Sequence, residues 1–385
     1  MIEIFIILIV IFLLFIFLTT RKYQKESLSN NIYSAEYYRG LNYLLNDEDD
    51  KALKIFTDLI DVDSSTIETH LALGGVYRRR GEFDKAILIH QNLLSRPKLD
   101  KGIKNQTLYE LGKDFFSAGL YDKSEKILHN LQNNKSYEES CSEYLLLIYE
   151  LSKDWDSAIK LTKNIKKQKI RNLSINDLIS QYYCEKANEY QKDNQLNKAI
   201  TVLRKAININ ESSRRPYLML FKLNIQSNPS NALDNLLNLV QLDSSFLVIL
   251  SNEIIELSTI HQDKDIDKRI SNIILQFSNE DQFSPQIYEF MFNINGYSSP
   301  DEYINRTRNN VFTDIFDNLY SQKSMNSNES KTNLDLLTLI SKNFLTYNCT
   351  NCGHSVRNHI WQCPSCNHWE TFKPNTISDR VAIND

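Results

Sequence analysis

A long apolar run stands out in the hydrophobic pattern of the chain. Residues 4–18 read IFIILIVIFLLFIFL and, with their flanks, approach the ~20 residues that span a bilayer. At roughly −0.3 to −0.6 kcal/mol each, these residues contribute about −5 to −9 kcal/mol to insertion, which outweighs Glu3. The acidic Glu3 and the lack of a small-residue cleavage site disfavour a secretory signal peptide. The pattern therefore predicts a transmembrane anchor at residues 1–20.

Basic residues after the run set its orientation. Arg21, Lys22 and Lys25 follow directly, and the positive-inside rule places them, with everything behind them, in the cytoplasm. Because the cytoplasm is reducing, cysteine pairs there bind metal more often than they form disulfides. We expect a single-pass protein on the cytoplasmic side, with a juxtamembrane linker over 21–32.

Small residues, with leucine at two places, recur in pairs through the middle of the chain. The two members of a pair are twelve residues apart, and the second member advances by 34, 38, 34, 41 and 33 residues. A period near 34 indicates tetratricopeptide repeats, each an antiparallel helix pair that approaches closely at the small residues. We therefore predict an all-α fold with a tetratricopeptide-repeat superhelix over 33–245. The pairs are Gly40 and Ala52, Gly74 and Ala86, Gly112 and Ser124, Leu146 and Ala158, Ala187 and Ala199, and Leu220 and Ala232.

The turns inside the repeats carry a second signature. An aromatic residue or leucine stands three residues before the second small residue, as Phe83 does before Ala86. Gly81 is expected to end the preceding helix as its C-cap. After residue 245 the signature is lost, and degenerate repeats or a helical cap are predicted over 246–345. The expected helices there are Phe246–Ser258, Asp267–Ser278, Gln286–Asn293, Pro300–Asn309, Phe312–Ser321 and Leu334–Phe344, with a loop at Lys323–Lys331.

Two C-x-x-C pairs lie near the C-terminus, at the spacing of a tetrahedral metal site built on two tight turns. Gly353 and Asn367 follow the pairs, where the backbone needs a positive φ. Four protein ligands leave no position for substrate, so one structural ion, zinc or iron, is expected. This metal-binding module is predicted over 346–376, with a tail at 377–385. Its candidate ligands are Cys349, Cys352, Cys363 and Cys366.

Composition and motif content narrow the function class. The formal net charge is −4 and the pI is near 6, so there is no general electrostatic attraction to nucleic acid. From 349 to 385, three basic residues balance three acidic ones, which argues against a nucleic-acid-binding zinc ribbon. The sequence has no Walker A loop, dinucleotide glycine fingerprint, H-E-x-x-H motif or nucleophile elbow. Nothing in it supports an enzyme.

The order of these parts resembles a known family. Anchor, repeats and a rubredoxin-like pair of cysteine turns follow one another along the whole chain, as in the lipopolysaccharide assembly protein B family. The strongest local matches are Tyr38–Asn46 with Asp50–Ala52, and Trp361–Cys366 with Trp369 and Lys373–Pro374. The repeats or the cysteine turns alone would be unspecific, but their combination with the anchor is specific.

The resemblance implies an adaptor of the Gram-negative inner membrane. Such an adaptor restrains lipopolysaccharide synthesis by presenting the committed-step deacetylase to a membrane-anchored AAA metalloprotease, and it contacts other lipopolysaccharide assembly proteins. The resemblance also implies that the cysteine module packs against the repeats and that each of its four cysteines is needed. The anchor departs from this pattern, because it has no small residue that would permit close helix contacts. Homo-oligomerisation and the assignment of partners to individual repeats are left open.

Other residues of the cysteine module have two interpretations each. His354, His359 and His368 could replace a cysteine as ligands, but four cysteines already complete a tetrahedron. Surface or packing roles are therefore expected for them. Trp361 and Trp369 could stack on bases. A module of this size is expected instead to use them as its hydrophobic core.

Four further features outside the module also have two interpretations each. Cys141 and Cys184 are expected to be buried apolar residues. The acidic run Asp47–Asp50 fits an exposed turn before a helix better than a divalent-ion site. The run Arg78–Arg80 fits a solvated helix C-terminus better than a docking patch for an acidic partner. Tyrosines on the first helices of the repeats fit packing and a protein interface equally well. They are Tyr38, Tyr43, Tyr77 and Tyr109.

Three functions are thus distinguished. The first is a membrane-tethered, non-enzymatic adaptor for regulated proteolysis in lipopolysaccharide biosynthesis. The alternatives are a generic membrane assembly scaffold and a rubredoxin-like electron-transfer protein in which iron carries the electron.

Overall fold

The computed structural model describes residues 35–56 (without 41, 44, 45, 47, 49 and 53), 67–96, 99–165, 169–170, 173–278, 284–294, 301–307 and 346–374. The predicted anchor, the juxtamembrane linker, the helices over 312–321 and 334–344, the loop at 323–331 and the tail lie outside these residues. Among the residues described, no helix has both the length and the apolar character that a membrane span requires.

The described chain is mostly helical and divides into two compact units, Met1–Lys153 and Asp154–Asp385. The prediction of an all-α repeat fold followed by a small cysteine module is confirmed. The helices are α1 (Ile67–Arg79), α2 (Phe83–Leu94), α3 (Lys101–Ser117), α4 (Tyr121–Gln132), α5 (Glu138–Ser152), α6 (Trp155–Asn164), α7 (Ile175–Lys192), α8 (Leu196–Ile209), α9 (Arg214–Asn224), α10 (Pro229–Leu242), α11 (Phe246–Ile249), α12 (Ser251–His261), α13 (Lys264–Phe277), α14 (Pro285–Ile294) and α15 (Asp301–Thr307).

The glycines of the pairs lie where the two helices of a repeat meet. The second member of each of the six pairs is completely buried. At Gly112, an added Cβ would lie 3.0 Å from Leu128 Cδ2, closer than ordinary van der Waals contact. The residue sixteen positions after each first member is also completely buried, and at Gly40, Gly74 and Gly112 it is the residue that an added Cβ would meet first. These six buried residues are Phe56, His90, Leu128, Thr162, Leu203 and Leu236.

Among the residues described, four turns between helices of the predicted repeat region, 33–245, contain a residue in the left-handed conformation. Gly81 has φ of 79°, which confirms its predicted role at the end of α1, and Gly119 has φ of 75°. Lys153 and Asn194 occupy the same position with φ of 59° and 57°. The backbone conformation therefore recurs in four repeats, although only two of them use glycine to reach it.

Cation–aromatic pairs also recur at a fixed offset of eight residues. Lys51 lies 5.3 Å from the ring centre of Tyr43, and Lys85 lies 5.2 Å from that of Tyr77. The same pairing joins Lys123 to Phe115 and Lys198 to Tyr190. Each lysine directly precedes the second small residue, so the repeat places it over the aromatic ring of the first helix. These pairs were not predicted from the sequence.

A buried polar network joins α1, α2 and α3 in the first unit. Arg78 donates to Asp114 Oδ1 and to Glu110 Oε2, both at 2.6 Å. His90 Nδ1 contacts the other oxygen of Asp114, and both of these side chains are fully buried. The prediction of a solvated Arg78–Arg80 run is therefore wrong for Arg78, which is only 14% exposed because two carboxylates hold it against α3.

The acidic run, the tyrosines and the buried cysteine of the first unit can also be compared with their predicted roles. Arg80 pairs with Asp50, so the described end of the acidic run lies in an ion pair. Tyr38 is 64% exposed, whereas Tyr109 packs in an aromatic cluster with Tyr137 at 5.4 Å between ring centres. Cys141 is completely buried, as expected, and burial raises its pKa to about 12.

The second unit contains a short hairpin and a large apolar cluster. Strands β1 (Lys169–Ile170) and β2 (Leu173–Ser174) pair antiparallel before α7 and were not predicted. The cluster spans α9 to α15 and includes Phe246. The helix predicted at Phe246–Ser258 is divided into α11 and α12 at Leu250, while α14 and α15 lie close to their predicted positions. Cys184 is completely buried in α7, and burial raises its pKa to about 12.

The cysteine module forms a small three-stranded sheet. Strand β3 (Tyr347–Cys349) lies in the centre, between β4 (Ser355–Val356) and β5 (Phe372–Pro374), with both pairings antiparallel. Its own apolar core is formed by Tyr347 and Phe372 together with buried cysteines. We call residues 346–374 the knuckle module.

Candidate metal centre

The two C-x-x-C turns of the knuckle module have the same hydrogen-bond pattern. Gly353 N donates to Cys349 O at 2.8 Å, and Asn367 N donates to Cys363 O at 2.8 Å. The first cysteine of each turn donates its own N–H at 2.9 Å, to His354 O in one turn and to His368 O in the other. Gly353 and Asn367 have φ of 76° and 57°, which confirms the predicted positive values. The turns are thus two copies of one ligand-presenting loop.

The fold brings the four cysteine sulfurs together. All four lie within 4.8 Å of one another. Cys349 Sγ is 3.7 Å from Cys366 Sγ, and Cys352 Sγ is 3.6 Å from Cys363 Sγ. A tetrahedron with metal–sulfur bonds of about 2.3 Å has edges of about 3.8 Å, so the sulfurs fit an S₄ site. The distances are much too long for disulfides, and the four cysteines are free.

The surroundings of the sulfurs favour at least one thiolate. Burial opposes ionisation of Cys349, but hydrogen bonds from Thr371 and from the backbone N–H groups of Cys352 and Asn351 lower its pKa to about 6. The Thr371 hydroxyl lies 3.2 Å from Cys349 Sγ. A hydrogen bond from His354 N–H lowers the pKa of Cys352, but partial desolvation and hydrogen bonds with the three nearby cysteines raise it to about 11. A divalent ion would satisfy the charge that these sulfurs develop as ligands.

The three histidines of the knuckle module lie beside the cysteine cluster without joining it. Within the part of the chain that the structure describes, the grouping of potential ligands contains cysteines only. His354 is exposed, and His368 Nδ1 lies 3.0 Å from Cys366 O. His359 packs against Trp361 with 4.6 Å between ring centres. Burial, reinforced by Arg214, lowers the pKa of His359 to about 4, so it is neutral at pH 7.

The two tryptophans contact α9 and α11 rather than form the core of the module. Trp361 stacks on Phe246 of α11 with 6.1 Å between ring centres. The guanidinium of Arg215 lies over both Trp361 and Trp369, at 5.7 and 5.5 Å from their ring centres. Our expectation of a tryptophan core is therefore corrected: Tyr347 and Phe372 fill the interior, so the indoles are left to cover Arg215.

Glu370 forms the polar part of the same contact. Its carboxylate accepts hydrogen bonds from Gln181 Nε2 at 2.7 Å and from Ser213 Oγ at 2.6 Å. It also accepts from the backbone N–H groups of Arg214 and Arg215, both at 3.2 Å. Arg214 adds a side-chain bond to the carboxylate and one from Nη2 to Glu370 O at 2.6 Å. One knuckle residue therefore binds Gln181, in the first half of α7, and the start of α9.

Glu370, Arg214 and Arg215 were not predicted as functional residues, although the sequence contains one signal for them. Two arginines at the start of a helix face the positive end of the helix dipole, where cations are unfavourable. Such a pair indicates a nearby anion. In the structure, Arg214 binds Asp243 and Glu370, and Arg215 binds Glu185 at 2.6 Å.

Comparisons with known proteins agree with this organisation. A family model described as rubredoxin metal binding domain matches residues 347–374, and a tetratricopeptide repeat model matches residues 69–103. Lipopolysaccharide assembly protein B of Escherichia coli (strain K12) is 26% identical over 368 residues, covering 91% of this chain and 92% of that protein. The protein of the same name from Haemophilus influenzae is 26% identical over 373 residues, covering 92% of each.

A solved structure also aligns with the repeats. The C-terminal part of a TPR repeat-containing protein from Cytophaga hutchinsonii has a TM-score of 0.40 and 13% identity, covering 65% of this chain and 98% of that one. The curated relatives confirm the resemblance to lipopolysaccharide assembly protein B that the sequence pattern indicated.

Proposed function

We propose that this chain is a non-enzymatic adaptor in the regulation of lipopolysaccharide biosynthesis, and that its knuckle module holds one structural metal ion. The observation that carries the proposal is a four-sulfur cluster at tetrahedral spacing in a chain similar to lipopolysaccharide assembly protein B over 91% of its length. The proposed ligands are Cys349, Cys352, Cys363 and Cys366. Both zinc and iron suit an S₄ donor set.

The chemistry of this site supports a structural role. Four cysteine ligands complete a tetrahedral shell, so no coordination position is left for a substrate. When bound, the ion supplies folding free energy to a module whose own apolar core is small. The folded module then holds Trp361, Trp369 and Glu370 against α7, α9 and α11. A fixed surface made of repeats and knuckle is suited to binding other proteins.

The finer proposal concerns location and partners. We place the chain in the inner membrane, held by one anchor at 1–20 and a linker at 21–32, with the remainder in the cytoplasm. Repeats over 33–245, a cap over 246–345 and the knuckle over 346–376 would bind the committed-step deacetylase and a membrane-anchored AAA metalloprotease. Tethering to the membrane raises the effective concentration of these partners.

The test is the lifetime of the deacetylase in cells. Replacing Cys349 and Cys352 with Ser should slow deacetylase degradation while the chain remains in the membrane fraction, because the surface that joins the partners is lost. The matched control is Cys141→Ala, which removes a buried thiol far from the cluster in sequence. Deacetylase turnover is followed after translation is blocked. Equal turnover in the double variant, the control and the wild type would rule out the adaptor function.

A second function has one observation in its favour, the match to a rubredoxin metal binding domain. A rubredoxin-like iron site would carry electrons and absorb visible light when oxidised. Protein purified without oxygen and then oxidised should be colourless if the ion is zinc. Intense bands that bleach on reduction would favour electron transfer instead. A detergent pull-down that recovers neither the protease nor the deacetylase would favour a generic scaffold.

A further inference from the structure

Helix α9 has no cap of its own. The N–H groups of the first turn of a helix have no partner within the helix. Ser213 stands at the N-cap position, yet its side chain makes no cap hydrogen bond. Its hydroxyl donates to Glu370 Oε1 instead. The Arg214 and Arg215 N–H groups then donate to the same carboxylate, so Glu370 performs the task that a Ser side chain commonly performs.

The Glu370 carboxylate also compensates the positive charge at the start of α9. Arg214 and Arg215 add two positive charges where the helix dipole is already positive. Arg215 is only 4% exposed on its side chain, and Arg214 is 18% exposed. The Glu370 carboxylate, 14% exposed, adds a negative charge directly at the helix end. Without it, five polar hydrogens would lose an ionic acceptor in a region largely closed to water.

The position of Glu370 depends on the cysteine turns. Its φ is 53°, a left-handed conformation that a glutamate adopts only when its surroundings impose it. Its N–H donates to Trp361 O at 2.7 Å. The next residue, Thr371, accepts from Thr350 N at 2.8 Å and lies against Cys349 Sγ. Glu370 is therefore fixed through Trp361, which lies next to the second C-x-x-C turn, and through Thr371, which is bonded to the first.

From these contacts we propose that the metal state of the knuckle module controls the start of helix α9. When the four cysteines are held by an ion, Glu370 caps α9 and the indoles cover Arg215. When the ion is removed, the turns open, Glu370 withdraws, and the first turn of α9 is exposed to water. This device rests on the metal site proposed above, and it does not depend on any role in lipopolysaccharide biosynthesis.

The coupling must act in both directions. If the folded, metal-bound knuckle stabilises the start of α9, then the start of α9 stabilises the metal-bound knuckle by the same factor. Removing the Glu370 carboxylate should therefore weaken metal binding, although Glu370 is not a ligand. A hydrogen-bonded charged contact of this kind corresponds to about a tenfold change in an equilibrium constant.

The experiment measures hydrogen exchange at the amides of Arg214 and Arg215 in the full chain in detergent, with metal content determined in parallel. After a chelator removes the ion under reducing conditions, exchange at these two amides should become at least about tenfold faster. The internal control is the first turn of α3, where Gly102 and Ile103 N–H groups are bound by Asp100. Their exchange should stay unchanged.

Two variants keep the test decisive if chelation unfolds the whole unit. In the metal-loaded Glu370→Ala protein, Arg214 and Arg215 should exchange fast, and zinc should be lost to a competing chelator at about tenfold lower chelator concentration. Arg357→Ala, an exposed change in the same module, should do neither.

The possible results separate the two proposals. A reconstituted protein that binds no zinc through its cysteines overturns both the metal site and the coupling. Zinc binding with slow Arg214 and Arg215 exchange in Glu370→Ala, or with unchanged zinc retention, overturns the coupling alone and leaves the metal site standing.

Discussion

Helices α3 and α9 both begin with a carboxylate bound to their first amide groups, but the two carboxylates come from very different places in the chain. Asp100 directly precedes α3 and accepts from Gly102 N at 2.7 Å. Glu370 lies 156 residues after Arg214 and accepts from the first two amides of α9. The cap of α3 forms with the helix itself, whereas the cap of α9 exists only while the knuckle module is docked.

The surroundings make the two caps unequal in energy. Asp100 is exposed, so water can replace its hydrogen bonds. Glu370 lies against two largely buried arginines, one of them enclosed by indole rings. Removing one partner of a buried ionic contact leaves the other charge unpaired, which costs more than the contact contributes. A remote cap therefore transmits the state of one module to another, and a local cap does not.

The largest effect is expected from Glu370→Ala. Loss of this carboxylate should lower the free energy of unfolding of the second unit by about 3 kcal/mol, because arginine and backbone donors lose their acceptor. The three tryptophans of the chain, Trp155, Trp361 and Trp369, all belong to this unit. Tryptophan fluorescence during urea unfolding therefore reports it selectively.

Glu370→Gln provides the matched comparison for this prediction. The amide keeps one oxygen acceptor and loses the charge, so its effect should be about half as large. If Glu370→Ala changed the free energy of unfolding by less than about 1 kcal/mol, the remote cap would be no stronger than an ordinary local one. The comparison between α3 and α9 would then lose its energetic basis.

A smaller effect is expected from acid, through His359. Burial against Phe246, Tyr347 and Trp361 holds its pKa near 4, and Arg214 lowers it while Glu370 opposes that shift. The unfolded chain binds the proton near pH 6.5. Stability of the docked knuckle is therefore complete above pH 6.5 and is lost as the pH falls toward 4. At pH 5 the loss should be about 2 kcal/mol.

His359→Phe isolates this contribution. Phenylalanine keeps the ring packing and cannot bind a proton, so the variant should lose less stability than the wild type between pH 7 and pH 5. Tryptophan fluorescence in urea at the two pH values measures the difference. Identical pH dependence in the two proteins would show that His359 is not the acid-sensitive group of this contact.

Local patterns in the sequence predicted much of this structure. The period near 34 placed the small residues, and all six second members are completely buried. The left-handed turn at Gly81 and the positive φ after each cysteine pair were also predicted from neighbouring residues in the sequence. The cysteine spacing identified four residues whose sulfurs the fold brings within 4.8 Å. In each case the residues that decide the geometry lie within 17 positions of one another.

The features that were missed depend on contacts between distant segments. His90 occupies a position that is Phe56 or Leu128 in neighbouring repeats, and only the packing of three helices shows that its Nδ1 contacts Asp114, whose other oxygen accepts from Arg78. The role of Glu370 likewise depends on which helix the knuckle module meets. Composition does not predict which helix the knuckle module docks on. In the sequence, the docking is indicated by two arginines, Arg214 and Arg215, at a helix start where positive charge is unfavourable.

The smallest effect is expected at the local cap. Asp100→Ala should lower the free energy of unfolding of the first unit by about 1 kcal/mol, because only two exposed amide bonds are lost and water replaces the acceptor. Exchange at Gly102 and Ile103 should become faster, whereas exchange at Arg214 and Arg215 and the retention of zinc should not change. Asp100→Asn, which keeps a side-chain oxygen acceptor, should restore most of the loss. If Asp100→Ala instead altered zinc retention, the local cap would also be coupled to the metal centre, and the distinction between the two helix caps would be wrong.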